Sequence, residues 1–148
     1  MTMAFRIIAV CGAVAVSAFA RPAASHSHNP DKTTWDSVYT AAQAAHGDSV
    51  YKASCMKCHG PALKGTETDG GPLVGKEFLD GWNGMTLDQL YNKIDRTMPS
   101  DNPKTLQAKD VADVMAFILS QNQFPAGASP LTENMDSLKS IKLTTSKP

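Results

Sequence analysis

Cys55, Cys58 and His59 stand in the string Cys55-Met56-Lys57-Cys58-His59, and this spacing admits three kinds of chemistry. A reactive dithiol of the thioredoxin kind requires a βαβ setting, whereas the flanks here carry helical periodicity. A zinc site requires a second pair of ligands. The third cysteine, Cys11, lies in a segment expected to be removed, and the remaining histidines, His26, His28 and His46, are scattered. Covalent attachment of a c-type haem requires two thiols one helical turn apart, which add to the haem vinyl groups, and an adjacent histidine under the iron. The string supplies all three, so haem attachment through Cys55 and Cys58 with His59 as iron ligand is the expected chemistry.

The residue on the other side of the iron decides what such a site can do. A strong sixth ligand leaves electron transfer, and an open position admits gas or peroxide. The methionines outside the N-terminal segment are Met56, Met85, Met98, Met115 and Met135. Met56 sits inside the attachment string, Met115 falls among core residues of a helix where methionine fills gaps, and Met135 is late in the chain. Met85 directly precedes a helix start and is the runner-up. Met98 is best placed, 39 residues after His59 in the irregular Thr97-Met98-Pro99-Ser100-Asp101-Asn102-Pro103, which its prolines stiffen. His46 precedes the attachment string on the same helical segment and is the poorer candidate. A His/Met pair raises the potential relative to anionic ligation. A ligating imidazole donates its other N–H to a carbonyl, and the Gly71-Pro72-Leu73 turn is the expected source, with Pro72 as the acceptor. Trp82 is a candidate donor to a haem propionate.

These residues must be positioned by a chain of 148 residues, enough for one domain with tails. Fourteen Lys and Arg balance fourteen Asp and Glu, so no net basic charge is available to hold nucleic acid. Three cysteines exclude a disulfide-dense scaffold. Residues 1–20 place Arg6 before an apolar run that ends in Ala18-Phe19-Ala20, the pattern of a secretory signal that is removed. The run is too short to span a bilayer, and no stable membrane insertion is expected after cleavage. Residues 21–33 read as a flexible leader, 34–122 as the haem-binding domain and 123–148 as a strap and tail. Within the domain, residues 35–54 carry helical periodicity, with Val38, Ala41, Ala42 and Ala45 at i, i+3, i+4 and i+7. Seven of the ten glycines fall in residues 60–84, which predicts a long shaped loop without a regular helix. Thr86-Leu87-Asp88-Gln89 fits a capping box opening a helix that ends at Met98-Pro99. A last helix is predicted over residues 107–121, with Val111, Val114, Met115 and Ile118 on its apolar face. The fold class is all-α, three to four helices and a glycine-rich loop around one covalently bound haem.

The chain resembles the class I monohaem c-type cytochromes. Gly47-x-x-x-Tyr51, then Cys55-x-x-Cys58-His59-Gly60, Pro72-Leu73, Met98-Pro99 and Asp113-Val114-Met115-Ala116-Phe117-Ile118 follow that pattern in order. More narrowly, residues 35–44, Trp82-Asn83-Gly84 and Phe124-Pro125-Ala126-Gly127 are similar to bacterial cytochromes that occur alone or joined to quinoprotein dehydrogenases. The resemblance implies a cytochrome c fold whose terminal helices cross at Gly47 and Tyr51 against the Phe117 region. It implies haem c and iron as cofactor, Met98 as axial ligand, and the Pro72 region as acceptor from the histidine. It implies a periplasmic electron carrier, monomeric or loosely associated, that serves redox partner proteins such as a quinoprotein dehydrogenase and a terminal oxidase, and no enzyme of its own. The alternatives are a cytochrome subunit of a dehydrogenase, or a haem enzyme or sensor with a labile sixth ligand. Lys52, Lys57 and Lys64 flank the attachment string and could steer docking.

Overall fold

The computed structural model describes residues 32–67 and 69–147. The segment expected to be a signal, with Cys11, the histidines His26 and His28 of the expected leader, Thr68 and Pro148 lie outside the described residues. The architecture is all-α, with six helices and a two-residue parallel ribbon among the described residues.

Residues 111–119 of α5 (Ala108–Gln121) are buried without interruption. The sequence pattern predicts one apolar face, but a helix buried on every side must be covered on every side. α1 (Ala41–Ser54) provides the densest cover, crossing α5 where Gly47 meets it. A Cβ on Gly47 would stand 1.9 Å from the Asp113 carbonyl oxygen and 2.9 Å from Phe117 Cβ, so only hydrogen fits. One turn on, the rings of Tyr51 and Phe117 pack at 5.3 Å between centroids. The expected meeting of Gly47 and Tyr51 with the Phe117 region is what the fold contains. α1 starts later than its periodicity suggests. The Thr40 hydroxyl accepts from Gln43 N at 3.1 Å and caps the helix there, leaving residues 34–40 as turn and extended chain.

α4 (Leu87–Thr97) covers a second side of α5, burying Leu87, Leu90, Tyr91 and Ile94 along one stripe. The expected capping box does not form. The Thr86 hydroxyl donates instead to Asp88 Oδ1 at 2.5 Å, and Gln89 meets Thr86 only through the backbone, at 3.0 Å. The rest of the cover comes from the C-terminal strap, which holds more structure than its mixed pattern suggests: α6 (Met135–Lys139), then β2 (Ile141–Lys142), which pairs in parallel with β1 (Lys32–Thr33). Gln43 acts as a clamp on the strap. Its buried amide donates to Leu131 O at 2.8 Å and accepts from Leu131 N at 2.7 Å. Tyr39 OH donates to Phe124 O at 2.6 Å, and Trp35 packs on Phe124.

Two short helices belong to the site. α2 (Met56–His59) is a single turn that continues α1 after a break at Cys55. α3 (Lys76–Trp82) corrects the expectation that residues 60–84 hold no regular helix. The glycines crowd into the flanks of this window. Lys76-Glu77-Phe78-Leu79-Asp80 is free of them, with Glu77 in the first turn where the helix dipole favours an acid. No helix among the described residues is long and apolar enough to cross a membrane.

Candidate functional site

Cys55 closes α1 as its C-cap, its N–H donating to Tyr51 O at 2.8 Å. The chain then winds one turn, with Cys58 N and His59 N both donating to Cys55 O at 3.1 and 3.0 Å. That turn brings the two thiols to the same side, and both cysteines are free and half-buried. Burial, and after it the neighbouring Cys58, push the Cys55 thiol up to about 11. A redox-active dithiol has a lowered pKa, so the dithiol reading fails on environment as well as on fold.

Gly60 ends the turn at φ 75°, in the left-handed region that suits glycine. Its carbonyl receives the buried Tyr51 hydroxyl at 2.5 Å. Burial, with Cys55 adding to it, pushes the Tyr51 phenol up to about 12, so it remains the donor across the physiological range.

His59 Nδ1 lies 2.7 Å from Gly71 O, which leaves Nε2 as the free ring nitrogen. The expected acceptor was Pro72, and the structure corrects it by one residue. Gly70 explains the shift. A Cβ there would stand 2.8 Å from His59 Nδ1 and 2.7 Å from Cys58 O, so the bare glycine lets the chain lie against the ring, and the next carbonyl, that of Gly71, is the one in reach. Pro72 itself lines the cavity beside it.

The two thiols, His59 and Met98 line one cavity of about 330 Å³, within the roughly 300–1,000 Å³ of small-molecule and cofactor sites. Its walls are apolar: Leu73, Phe78, Leu90, Ile94, Val114 and Ile118. Met98 is the C-cap of α4, half-buried, its N–H donating to Ile94 O at 3.0 Å. None of the other described methionines lines this cavity. Met56 and Met85 are exposed, Met115 is in the core, and Met135 packs near Asn92 at the strap. Trp82 ends α3, packs on Phe78 at 6.2 Å between ring centroids and lines the cavity, and its indole N–H has no hydrogen-bond acceptor among the described residues. A c-type haem with a methionine as second ligand calls for paired thiols on one turn, an imidazole with Nε2 free, a thioether and a largely apolar slot. The residues present fit it.

His46 is remote from this cavity. It bonds Asp113 Oδ2 at 2.7 Å on the outer side of the α1–α5 crossing, near Asp110. Lys109 also reaches Asp113 Oδ2, so an ammonium already occupies the charge of that cluster. Among the lysines flanking the attachment string, Lys52 pairs with Asp48 at 2.6 Å one turn back. Lys57 stands 3.8 Å from Asp101, and this exposed pair links the attachment turn to the Met98 segment at the cavity mouth.

Sequence reasoning found the turn that supplies the acceptor, one residue off, and missed two contributors. Thr66 ties the loop to Cys58, and Asn122 pins the far end of the loop. The Asn122 amide accepts from Gly75 N at 3.0 Å and donates to Leu73 O at 2.9 Å. An asparagine directly after an apolar helix was the one available sign of the last.

Residues 42–118, just over half of the chain, match the family model described as cytochrome c oxidase, cbb3-type, subunit III. The chain belongs to this family of c-type cytochromes. Its function class is therefore electron transfer, and the cofactor of the cytochrome domain is haem. Among solved structures, the cytochrome is similar to a chain of the sulfane dehydrogenase SoxCD from Paracoccus pantotrophus, at 22% identity and a TM-score of 0.45. That match covers 61% of this chain and about half, 53%, of the solved one, and at this level it carries no inference about function. No curated protein matches the cytochrome.

Proposed function

We infer that the cytochrome is a periplasmic electron carrier with one haem bound covalently through Cys55 and Cys58, His59 and Met98 being the axial ligands of its iron. One observation carries the reading: a single apolar cavity collects both thiols, His59 and, of the described methionines, Met98 alone. The haem iron supplies one-electron chemistry when bound.

The chain's own residues would do the rest. The two thiols become thioethers and fix the group on the α2 turn. His59 presents Nε2 while its Nδ1–H donates to Gly71 O, which orients the ring and raises its basicity. The Met98 thioether is a soft ligand that raises the potential. Phe78, Leu90, Ile94, Val114 and Ile118 keep water away from the site. Trp82 would donate its indole N–H to a propionate, and Pro72 would pack beside the ring it was expected to bond. With Met98 at the cavity as the second ligand, the role is that of a carrier between redox proteins. A quinoprotein dehydrogenase as donor and a terminal oxidase as acceptor fit it, met at the cavity mouth near Lys57 and Asp101 by a monomer.

The test is optical. The oxidised protein should show a far-red sulfur-to-iron charge-transfer band that disappears in Met98→Ala. A wild type without the band that binds carbon monoxide readily when reduced would overturn the carrier reading. Attachment is tested separately: a Cys55→Ser/Cys58→Ser chain that kept haem through acid–acetone extraction would contradict it.

A further inference from the structure

Thr66 lies in the glycine-rich loop, its side chain exposed, at a position that no motif marks. Its hydroxyl donates to Cys58 O at 3.0 Å and accepts from Asp69 N at 3.2 Å, using both capacities of one oxygen. Its own N–H donates to Gly70 O, also at 3.0 Å. One residue earlier, Gly65 N donates to His59 O at 2.9 Å. Two parts of the site are thereby joined. One is the α2 turn that carries Cys58 and His59. The other is the segment of Gly70 and Gly71, whose last carbonyl takes the His59 Nδ1 proton. The glycines leave the space for this closure. A Cβ on Gly65 would stand 2.4 Å from Gly70 O, as one on Gly70 would crowd Cys58 O.

We propose that Thr66 is a positioning residue for His59: its hydroxyl fastens the Gly71-bearing loop to the Cys58 carbonyl, so that the imidazole and the acceptor that orients it are held as one body. Among the described residues between Pro61 and Gly75 there is no regular secondary structure to fix that acceptor. Without the Thr66 hydroxyl, Cys58 O and Asp69 N lose this partner, and the side-chain tie between the loop and the α2 turn is gone, leaving the backbone bonds of Gly65 N to His59 O and Thr66 N to Gly70 O to hold the segment more loosely. The Nδ1–H bond then lengthens and breaks more often. A ligating imidazole with a weaker Nδ1–H bond is a weaker base and stabilises ferric iron less.

The inference rests on reading His59 as an iron ligand, and its test separates the two. In the haem-loaded protein, Thr66→Val keeps the shape of the side chain and removes the hydroxyl. The solvent exchange of the His59 Nδ1 proton, read by nuclear magnetic resonance, should quicken measurably relative to wild type. The midpoint potential should rise, with a ferric-to-ferrous ratio lowered by up to about tenfold at fixed potential, about 59 mV for one electron. Thr66→Ser, which restores the hydroxyl, should return both values to wild type, and Thr66→Ala should repeat the effect of valine if the valine chain folds poorly. A hydroxyl that served only the stability of the loop would lower the melting temperature and leave potential and exchange where they were; that result overturns the proposal. So does a serine variant that behaves like valine. A wild type without covalently bound haem would instead refute the functional reading, and proton exchange at His59 in Thr66→Val would still decide the geometry.

Discussion

Replacing Gly47 by alanine puts a methyl group against a backbone that cannot turn away. The new Cβ would lie 1.9 Å from Asp113 O and 2.5 Å from Asp113 C, while ordinary contact begins at 3.4 Å, so α1 and α5 must part by about 1.5 Å. Overpacking of this kind costs roughly 1–3 kcal/mol where side chains can adjust, and more where they cannot. Against it stands the gain of about 1 kcal/mol for alanine over glycine inside a helix. The obstacle here is a carbonyl, so the upper end applies and the net loss is about 2 kcal/mol. At about 4 °C per kcal/mol for a domain of this size, the melting temperature falls by roughly 8 °C. Gly81 is the control. It lies within α3, and a Cβ there meets nothing within 4 Å. Gly81→Ala should therefore keep the helical gain, up to about 1 kcal/mol and a rise of roughly 4 °C. Both are read by circular dichroism during thermal unfolding, with a urea titration to check the sign. A Gly47→Ala protein as stable as wild type, or a Gly81→Ala protein equally damaged, would refute the close-approach argument.

Tyr51→Phe removes the 2.5 Å donor to the Gly60 carbonyl inside the fold, and should lower stability by about 1–3 kcal/mol in denaturant titration without opening the helix crossing. Gln43→Ala strips both partners from the Leu131 peptide; limited proteolysis should then cut the exposed residues 126, 128, 129 and 130 well before any site in α5. Asp113 gives a pH signature. Burial alone would raise its carboxyl, but hydrogen bonds from Lys109, the amide of Gln43 and His46 more than offset this and hold it below its ordinary 3.8. A lowered folded value stabilises the protein above the unfolded value and is lost as pH falls through the folded one. The melting-temperature gap between wild type and Asp113→Asn should therefore be full at pH 6 and shrink below about pH 4, and a gap that stayed constant to pH 2 would contradict the assignment.

The gathering of the two thiols, His59 and Met98 at one cavity was legible because it is written locally. Two thiols and an imidazole on one turn require only the residues 55–59, and Met98 follows from a helix end stiffened by proline. A close approach at Gly47 was legible as a glycine inside a helical stretch, whereas its partner, the helix of Phe117, came from the family resemblance. What sequence could not supply is anything decided by a fold-back between distant residues. The choice of Gly71 over Pro72 depends on how Gly70 lies on Cys58, twelve residues earlier in the chain. Thr86 was read as a cap because its neighbours fit the pattern, yet its bridge to Lys142 and the nearby Asp88 take it elsewhere. α3 was hidden by averaging, since the glycines on either side and Gly81 near its end masked the helix formers of residues 76–80. The buried ring of α5 was hidden by a strap whose apolar residues have no period of their own and whose register is set by β1 and Gln43.

The position of α3 says most about what the cavity does for the fold. Seven residues are too few for a helix to persist in water without tertiary support. α5 supports α1 on one side and α4 on another, but α3 has no comparable helix partner. Its two large side chains, Phe78 and Trp82, both line the cavity, so the space that would hold a haem is also where this helix must find its packing. Phe78 and Leu79 also meet the core, and the ends are tied: Asn122 holds Gly75 before the helix, and Gly84 N donates to Leu143 O at 2.8 Å after it. A group filling the cavity therefore adds a further hold on α3 and little to the α1–α5 crossing. In the Cys55→Ser/Cys58→Ser chain, amide hydrogen exchange should accelerate first and most over residues 76–82, while residues 111–119 keep their protection. Equal loss in both segments would mean that the cavity and its contents stabilise the domain as a whole, and that α3 stands without them.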